Sequence, residues 1–213
     1  MSAREVFGDG FLAEFAELLQ LRRDVRRFKT DALEPGTLEA LVAQTRFGPS
    51  VGYSQPWRFV SVASPDRRAA IVASFERANA DALASYEGER AAAYATLKLS
   101  GLRDAPVHLA VFCDATTATG SGLGARTMPE TLAYSTAMAI YTFWLAARAR
   151  GIGVGWVSIL EPETVRATLD VPAEWRFVAY LCVGYPSDAS ATPELKRLGW
   201  EDFDPRSTDL TIR

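Results

Sequence analysis

Histidine is nearly absent from this sequence. The 213 residues contain one, His108, and it lies inside an apolar stretch that predicts a core strand. A single histidine excludes zinc sites built from several histidines, and it leaves one candidate base for a serine or cysteine triad. We therefore interpret His108 as a structural residue and predict no metal site.

Cysteine is also rare, and positive charge is not in excess. Cys113 and Cys182 lie in apolar runs, as buried free thiols usually do, which favours a reducing compartment. A general nucleic-acid-binding protein needs a basic surface, whereas the formal net charge here is -3. We expect no nucleic-acid partner.

Apolar runs of membrane-spanning length are missing. The longest uncharged run, 131–147, is short for a bilayer and contains Ser, Thr and Tyr, so it predicts a buried helix. The first residues carry charges and glycines where a signal peptide has an apolar core. We expect a cytoplasmic protein with no membrane partner.

Linkers, repeats and low-complexity segments are absent as well, so we predict one domain over residues 1–213. Stretches with helical periodicity alternate with apolar or β-branched runs, which favours an α+β or α/β fold around one sheet. The runs that predict strands are 58–64, 107–114, 154–160 and 176–186.

Several helix boundaries are predicted from capping residues. Thr37 is a cap candidate for the second helix, and the spacing from Thr127 to Glu130 is that of a capping box. Pro129 would then lie in the first turn of the long apolar helix, which we expect to stop at Gly151.

Familiar nucleotide-binding motifs fail or are missing. GSGLGA at 120–125 has the G-x-G-x-x-A spacing, but no acidic residue lies about twenty positions further on, and the next helix is capped separately. A flexible glycine loop is the better interpretation. The sequence has no P-loop either, so its chemistry is expected to depend on a bound reagent such as a cofactor.

Three stretches remain as candidate binding elements. RRDVRRF at 22–28 surrounds Asp24 with arginines, which suit a phosphate but are also typical of a solvated basic surface. FGPSVGYSQPWRFV at 47–60 can offer backbone N–H groups and an amide to a planar polar ring, or it is a tight loop. GIGVGWVSIL at 151–160 has glycines that let a backbone approach a flat ligand, or that make a tight turn.

Together these stretches resemble the nitroreductase-like flavoprotein superfamily, over about residues 15–200. The superfamily's common R-R-S-x-R has Asp24 in place of serine, and the asparagine of its P-S-x-x-N-x-Q-P-W loop is Tyr53. With LKLSGLRDAPVHLAVFCD and RTMPETLAYSTAMAI, the set looks like the branch that consumes its flavin to make 5,6-dimethylbenzimidazole, the lower ligand of vitamin B12.

The resemblance implies an α+β fold with a central mixed or antiparallel sheet flanked by helices, and a homodimer. It implies an enzyme that takes reduced flavin mononucleotide (FMN) and O2, without a metal, and releases 5,6-dimethylbenzimidazole and erythrose 4-phosphate. A separate flavin reductase would supply the reduced FMN. The apolar helix at 131–147, with small residues at Ala133 and Ala137, is expected at the dimer interface.

The resemblance also assigns site residues. Asp24 and Ser158 match the two residues that family members use on the flavin ring, and we expect the flanking arginines to lower the pKa of Asp24 and to keep it ionised as a base. The full set of expected flavin-binding residues is Arg22, Arg23, Asp24, Val25, Arg26, Ser50, Ser54, Gln55, Lys98, Gly155, Trp156, Ser158 and Arg197.

Two alternatives remain open at this point. One is an NAD(P)H-dependent nitroreductase or quinone reductase that keeps and recycles its flavin. The other is a non-catalytic flavin-binding protein in which Asp24 is only an ion-pair partner.

Overall fold

The computed structural model describes residues 6–96, 101–188 and 190–213. The α-helices are α1 (Asp9–Leu21), α2 (Thr37–Gln44), α3 (Pro65–Ala84), α4 (Gly88–Thr96), α5 (Gly101–Asp104), α6 (Thr131–Arg148), α7 (Pro162–Leu169) and α8 (Glu194–Arg197). The strands are β1 (Trp57–Ser61), β2 (Val107–Asp114), β3 (Gly153–Val157) and β4 (Trp175–Gly184).

Within the described residues the strands form one sheet in the order β1-β2-β4-β3, and all neighbouring pairs are antiparallel. An α/β fold would need parallel strands joined by crossover helices. The α+β prediction is therefore confirmed, and the central sheet is antiparallel.

Alternation along the central strands gives the sheet two apolar faces. On β2, Ala110 and Phe112 face a core that includes residues of α3 and α7, whereas Leu109 and Val111 face a core that includes residues of α2 and α6. Because both faces are covered, β2 and β4 read as nearly continuous apolar runs in the sequence. His108 is buried on β2 with its Nδ1 3.0 Å from the Tyr180 hydroxyl, and burial lowers the pKa of the imidazole to about 4.

Two predicted helix caps are wrong. Thr37 is the first residue of α2, and the N-cap is Gly36 in a left-handed conformation that favours glycine. The helix α6 begins at Thr131 with Glu130 at its N-cap and no side-chain cap, because the chain before it is a series of turns rather than a capping box.

Two helices present apolar side chains to the surface. Tyr134, Met138 and Tyr141 form an exposed stripe on α6, at the i, i+4, i+7 spacing of one helix face. The α1 helix has no buried residue, and Phe11 and Phe15 stack on its exposed side. No helix in the described ranges combines the length and the apolar character that a membrane crossing requires.

Candidate active site

The arginine motif is an extended segment that lies along the outer edge of β3. After α1 ends at Leu21, Asp24 forms a parallel bridge with Val154, and the Val25 N–H donates to the Val154 carbonyl at 3.0 Å. Phe28 then pairs with Pro186. The motif is therefore held by the sheet, which fixes the direction of its side chains.

Glycine at position 155 makes this pairing possible. A Cβ atom on Gly155 would lie 2.1 Å from the Val25 carbonyl oxygen, a distance that no real Cβ contact tolerates. The next residue, Trp156, donates its backbone N–H to Oδ1 of Asp24 at 2.8 Å. The close approach of the two backbones thus also anchors the carboxylate.

Desolvation dominates the electrostatics of Asp24. Surrounding protein atoms displace water and raise the pKa of this carboxyl, although the Trp156 N–H and the charges of Arg26 and Arg22 act in the opposite direction. The Arg26 Nε lies 3.5 Å from Oδ2, which is a weak ion pair, and the Asp24 side chain is still 38% exposed. The expectation that the flanking arginines give a net lowering of this pKa is wrong, because desolvation outweighs them.

The arginines border a crevice of about 160 Å³. Its lining is Arg22, Arg23, Asp24, Arg26, Pro193, Glu194 and Leu195. Arg23 also has a local role, because its Nε donates to the Ala191 carbonyl at 2.9 Å and its Nη1 donates to the Arg22 carbonyl at 2.8 Å. The Arg22 guanidinium makes no hydrogen bond within the described residues, although its Cζ lies 5.0 Å from the centroid of the Trp144 ring.

Ser158 follows the last residue of β3 and is exposed. It lies two residues beyond Trp156, so a strand rise puts it about 7 Å further along the same edge. This spacing puts Ser158 near the same edge of β3 that Asp24 contacts.

The loop that contains Ser50, Ser54 and Gln55 is compact and internally bonded. The Ser50 Oγ accepts the backbone N–H of Gln55 at 3.2 Å, and the Gln55 side-chain amide donates to the Tyr53 carbonyl at 2.7 Å. Tyr53 and Gln55 both have positive φ, at 56° and 41°, which non-glycine residues rarely adopt. Such strain at a loop is typical of functional sites.

The hydroxyl of Ser54 is an unsatisfied polar group. The residue is 4% exposed, and its Oγ has no hydrogen-bond partner in the described part of the chain. An unmet buried hydroxyl costs roughly 1–3 kcal/mol, so a partner from outside the loop is expected. The loop also packs tightly on the glycine turns, since a Cβ on Gly120 would lie 2.4 Å from the Gly52 carbonyl.

The two groups of candidate residues lie at opposite edges of the sheet. The 50–55 loop leads into β1, and the arginine segment pairs with the outer edge of β3, so β2, β4 and β3 lie between them and they are four inter-strand steps apart. Each step is about 4.8 Å, which gives a separation of roughly 19 Å. One chain does not bring the two groups together.

Two further candidates from the sequence are Lys98 and Arg197. Lys98 lies outside the described residues. Arg197 is exposed, and its Nη2 is 3.9 Å from both Asp188 and Glu194, where Arg27 also pairs at shorter distances. In the described ranges no group of three or more His, Cys, Asp or Glu could hold a metal.

We compared the chain with known protein families and solved structures. The model of the Nitroreductase family matches residues 19–185. The chain belongs to this nitroreductase family. Its fold is similar to iodotyrosine deiodinase bound to FMN and 3-iodo-L-tyrosine, with a TM-score of 0.71 at 23% identity over 93% of this chain and 97% of that one. It is also similar to a nitroreductase-like protein of Streptococcus mutans, with a TM-score of 0.70 at 16% identity over 96% of this chain and 100% of that one.

Relatives of higher sequence identity than these structures share the name 5,6-dimethylbenzimidazole synthase. The 5,6-dimethylbenzimidazole synthase of Rhodospirillum rubrum is 55% identical over 205 residues, which cover 96% of this chain and 97% of the relative. A protein of the same name from Rhodobacter capsulatus is 49% identical over 87% of this chain and 90% of the relative.

Sequence reasoning missed the side chains that support the site. Trp144 of α6 contacts the arginine segment, and Arg58 donates to the carbonyls of Gln55 and Trp57 while it pairs with Asp114 at 2.7 Å. A tryptophan in an apolar helix and an arginine in a strand give no sequence signal for such contacts, which depend on the assembled sheet.

Proposed function

We propose that this nitroreductase-family chain is a 5,6-dimethylbenzimidazole synthase. It takes reduced FMN and O2 as substrates and yields 5,6-dimethylbenzimidazole and erythrose 4-phosphate. The relatives of that name, at 45–55% identity over most of the chain, support the assignment. The observation that carries it is Asp24, a carboxylate held by the Trp156 amide where other family members commonly have serine.

The residues present fit a flavin phosphate. A phosphate dianion requires cationic or N–H donors, and Arg22 and Arg26 border a crevice with room for such a group. The reduced isoalloxazine ring supplies the electrons that reduce oxygen, and no metal is required. Gly155 lies against the Val25 carbonyl and Trp156 donates to Asp24, so these two residues would serve the flavin site by holding Asp24 in place.

Asp24 would accept a proton during ring fragmentation, which a serine in its place could not do. Efficient acid–base catalysis needs a pKa near the working pH, and desolvation moves the pKa of Asp24 upward in that direction. The hydrogen bond from Trp156 keeps Oδ1 in place, so Oδ2, which has only the weak 3.5 Å contact with Arg26, would take the substrate proton. Ser158, exposed on the same edge, would orient or relay a proton.

A homodimer would complete the site. Ser50, Ser54 and Gln55 lie across the sheet from Asp24, so one flavin could contact both groups only if a second copy supplied the loop. The exposed stripe of Tyr134 and Tyr141 on α6 supports this, because apolar side chains at one helix spacing are typical of a helix–helix interface.

Reduced FMN would come from a separate flavin reductase, and the reaction would take place in the cytoplasm. The free thiols of Cys113 and Cys182 are buried and unpaired with each other, which agrees with a reducing compartment.

The test is to mix the purified protein with reduced FMN, admit air and identify products by mass. We expect 5,6-dimethylbenzimidazole from the wild type and at least about tenfold less from Asp24→Asn. Flavin that stays bound after purification, with rapid NADPH turnover on a quinone and no benzimidazole, would instead identify a flavin-recycling reductase. Anaerobic binding of reduced FMN with no product in air would indicate a binding protein.

A further inference from the structure

The indole of Trp144 joins helix α6 to the arginine segment by two contacts. Its Nε1–H donates to the Arg23 carbonyl oxygen at 3.3 Å. Its ring face lies under the guanidinium of Arg22, with the Arg22 Cζ 5.0 Å from the ring centroid. Trp144 is 8% exposed, so this contact surface is fixed in the core rather than mobile on the surface.

These contacts act on the orientation of one arginine. An arginine side chain has several rotatable bonds, and ordering it at the moment of binding costs free energy. A guanidinium held over an aromatic face is attracted to the ring through its charge, which limits the movement of the side chain and consumes no acceptor oxygen. Arg22 lines the crevice beside Asp24 and makes no hydrogen bond within the described residues, so no acceptor there engages its donors.

Trp144 also contacts Trp156, the residue that anchors the Asp24 carboxylate. The ring centroids of Trp144 and Trp156 lie 6.4 Å apart, and the two rings make an interplanar angle of 34°. Trp156 is the residue whose backbone N–H binds Asp24. Trp144 therefore contacts the segment before Asp24 and the strand that anchors it.

We propose that Trp144 is a positioning residue that presents the Arg22 guanidinium to the phosphate of FMN. This inference rests on the proposed function, since it concerns how the same site recognises its substrate. Trp144 does not touch the ligand itself. It acts mainly through Arg22, and it should therefore affect recognition of the phosphate more than recognition of the isoalloxazine ring.

The test compares anaerobic titrations of reduced FMN and reduced riboflavin, which lacks the phosphate. Trp144→Leu removes both the ring stack and the N–H donor, and Trp144→Phe keeps an aromatic face but loses the donor. We expect Trp144→Leu to weaken FMN binding by about two- to thirtyfold, the range estimated for cation–π contacts, with a smaller loss of riboflavin affinity. Trp144→Phe should show a smaller loss of the same kind and should fold even if the leucine variant does not.

A double-mutant cycle with Arg22→Ala decides whether the effect passes through that arginine. In the Arg22→Ala background, a change at Trp144 should cause no further loss of FMN affinity. Trp175→Leu is the matched control, because Trp175 also lies beneath an arginine, Arg58, but at the far end of β4. It should leave the ratio of FMN to riboflavin affinity unchanged.

Equal losses for both ligands, or losses that add to that of Arg22→Ala, would overturn the positioning role and make Trp144 an ordinary core residue. A wild-type protein that binds neither reduced FMN nor reduced riboflavin would instead overturn the proposed function, and the inference with it.

Discussion

The backbone N–H of Trp156 donates a hydrogen bond to Oδ1 of Asp24 at 2.8 Å, across the pairing of the arginine segment with β3. This bond ties a side chain near the start of the sequence to a strand more than a hundred residues later. The carboxylate is therefore positioned by the sheet edge rather than by its neighbouring arginines.

A first prediction concerns stability and pH. The folded protein raises the pKa of Asp24 above that of a carboxyl in the unfolded chain, which is about 3.9. At a pH between the unfolded-state pKa and the folded-state pKa, the native state therefore binds more protons than the unfolded state. Stability is therefore lost as the pH rises through that window. Asp24→Asn has no charge to desolvate, so at pH 7 it should melt at a higher temperature than the wild type. The difference should shrink below about pH 4.

Thermal melts by circular dichroism across pH would measure this, with Asp31→Asn in an exposed loop as the matched carboxylate control. A variant that melts lower than the wild type at pH 7 would mean that the ion pair with Arg26 outweighs desolvation.

A second prediction concerns Gly155. An alanine there would place its Cβ 2.1 Å from the Val25 carbonyl, so the arginine segment must move away from β3. We expect Gly155→Ala to lower the free energy of unfolding by at least about 1–3 kcal/mol, as overpacking does, and to abolish product formation because Asp24 moves with the segment. Gly10→Ala is the control, since no atom lies within 4 Å of its Cβ position, and it should be neutral or stabilising. Urea unfolding and the product assay measure the two effects.

Much of the fold could be predicted from the sequence because strong periodic patterns survive in any context. The predicted strand 107–114 has the bounds of β2, since burial on both faces requires an unbroken apolar run. The caps at Thr37 and Thr127 failed because a capping motif competes with the local turn geometry, and Gly36 with its left-handed φ determines where α2 begins.

The candidate site was predictable as a set of residues but not as an electrostatic environment. Charge spacing in the sequence shows that arginines flank Asp24, yet desolvation depends on the atoms that β3 and α5 bring around it. The sequence also could not show that Arg23 would bond to the Ala191 carbonyl, which is 168 residues away.

A third prediction separates two neighbouring arginines. Arg22→Ala should weaken binding of reduced FMN by about ten- to hundredfold, because a charge-assisted contact of roughly 1.5–3 kcal/mol is lost. Arg23→Ala should have a smaller effect, since in this structure its guanidinium donates to two backbone carbonyls. Anaerobic titration measures both affinities. Unchanged FMN affinity in Arg22→Ala would remove the phosphate assignment.

A fourth prediction concerns assembly. We expect a homodimer of roughly twice 23.2 kDa that buries the exposed stripe of α6. Met138→Asp places a charge in that stripe and should give monomers by light scattering, whereas Leu83→Asp, on the surface of α3, should not. A wild-type monomer at micromolar concentration would contradict the dimer.

The same dimer predicts complementation between inactive chains. Asp24→Asn changes a residue beside β3, and Gln55→Ala, expected to have low activity, changes a residue before β1, at the opposite edge of the sheet. If each site combines one edge from each subunit, mixed dimers contain one intact site. Refolding an equal mixture should then restore about a quarter of the wild-type rate per chain, since half of the dimers are mixed and each has one of two sites intact. A mixture as inactive as its components would mean that both edges of a site come from one chain.

The last prediction concerns the chemistry at Asp24. Asp24→Asn keeps the size of the side chain and an oxygen that can accept the Trp156 N–H, but it cannot take a proton from the substrate. Asp24→Ser restores the residue common in the family. Both variants should still bind reduced FMN, because Arg22 and Arg26 remain and one negative charge near the phosphate is gone. Oxygen should still oxidise the flavin, so oxidised FMN and hydrogen peroxide should be recovered in place of 5,6-dimethylbenzimidazole.

We expect product to fall by at least about tenfold, given that a positioned base supplies ~100-fold or more. Mass spectrometry of the products with parallel flavin absorbance measures both results, and near-wild-type yield from Asp24→Asn would reduce Asp24 to an ion-pair partner of Arg26.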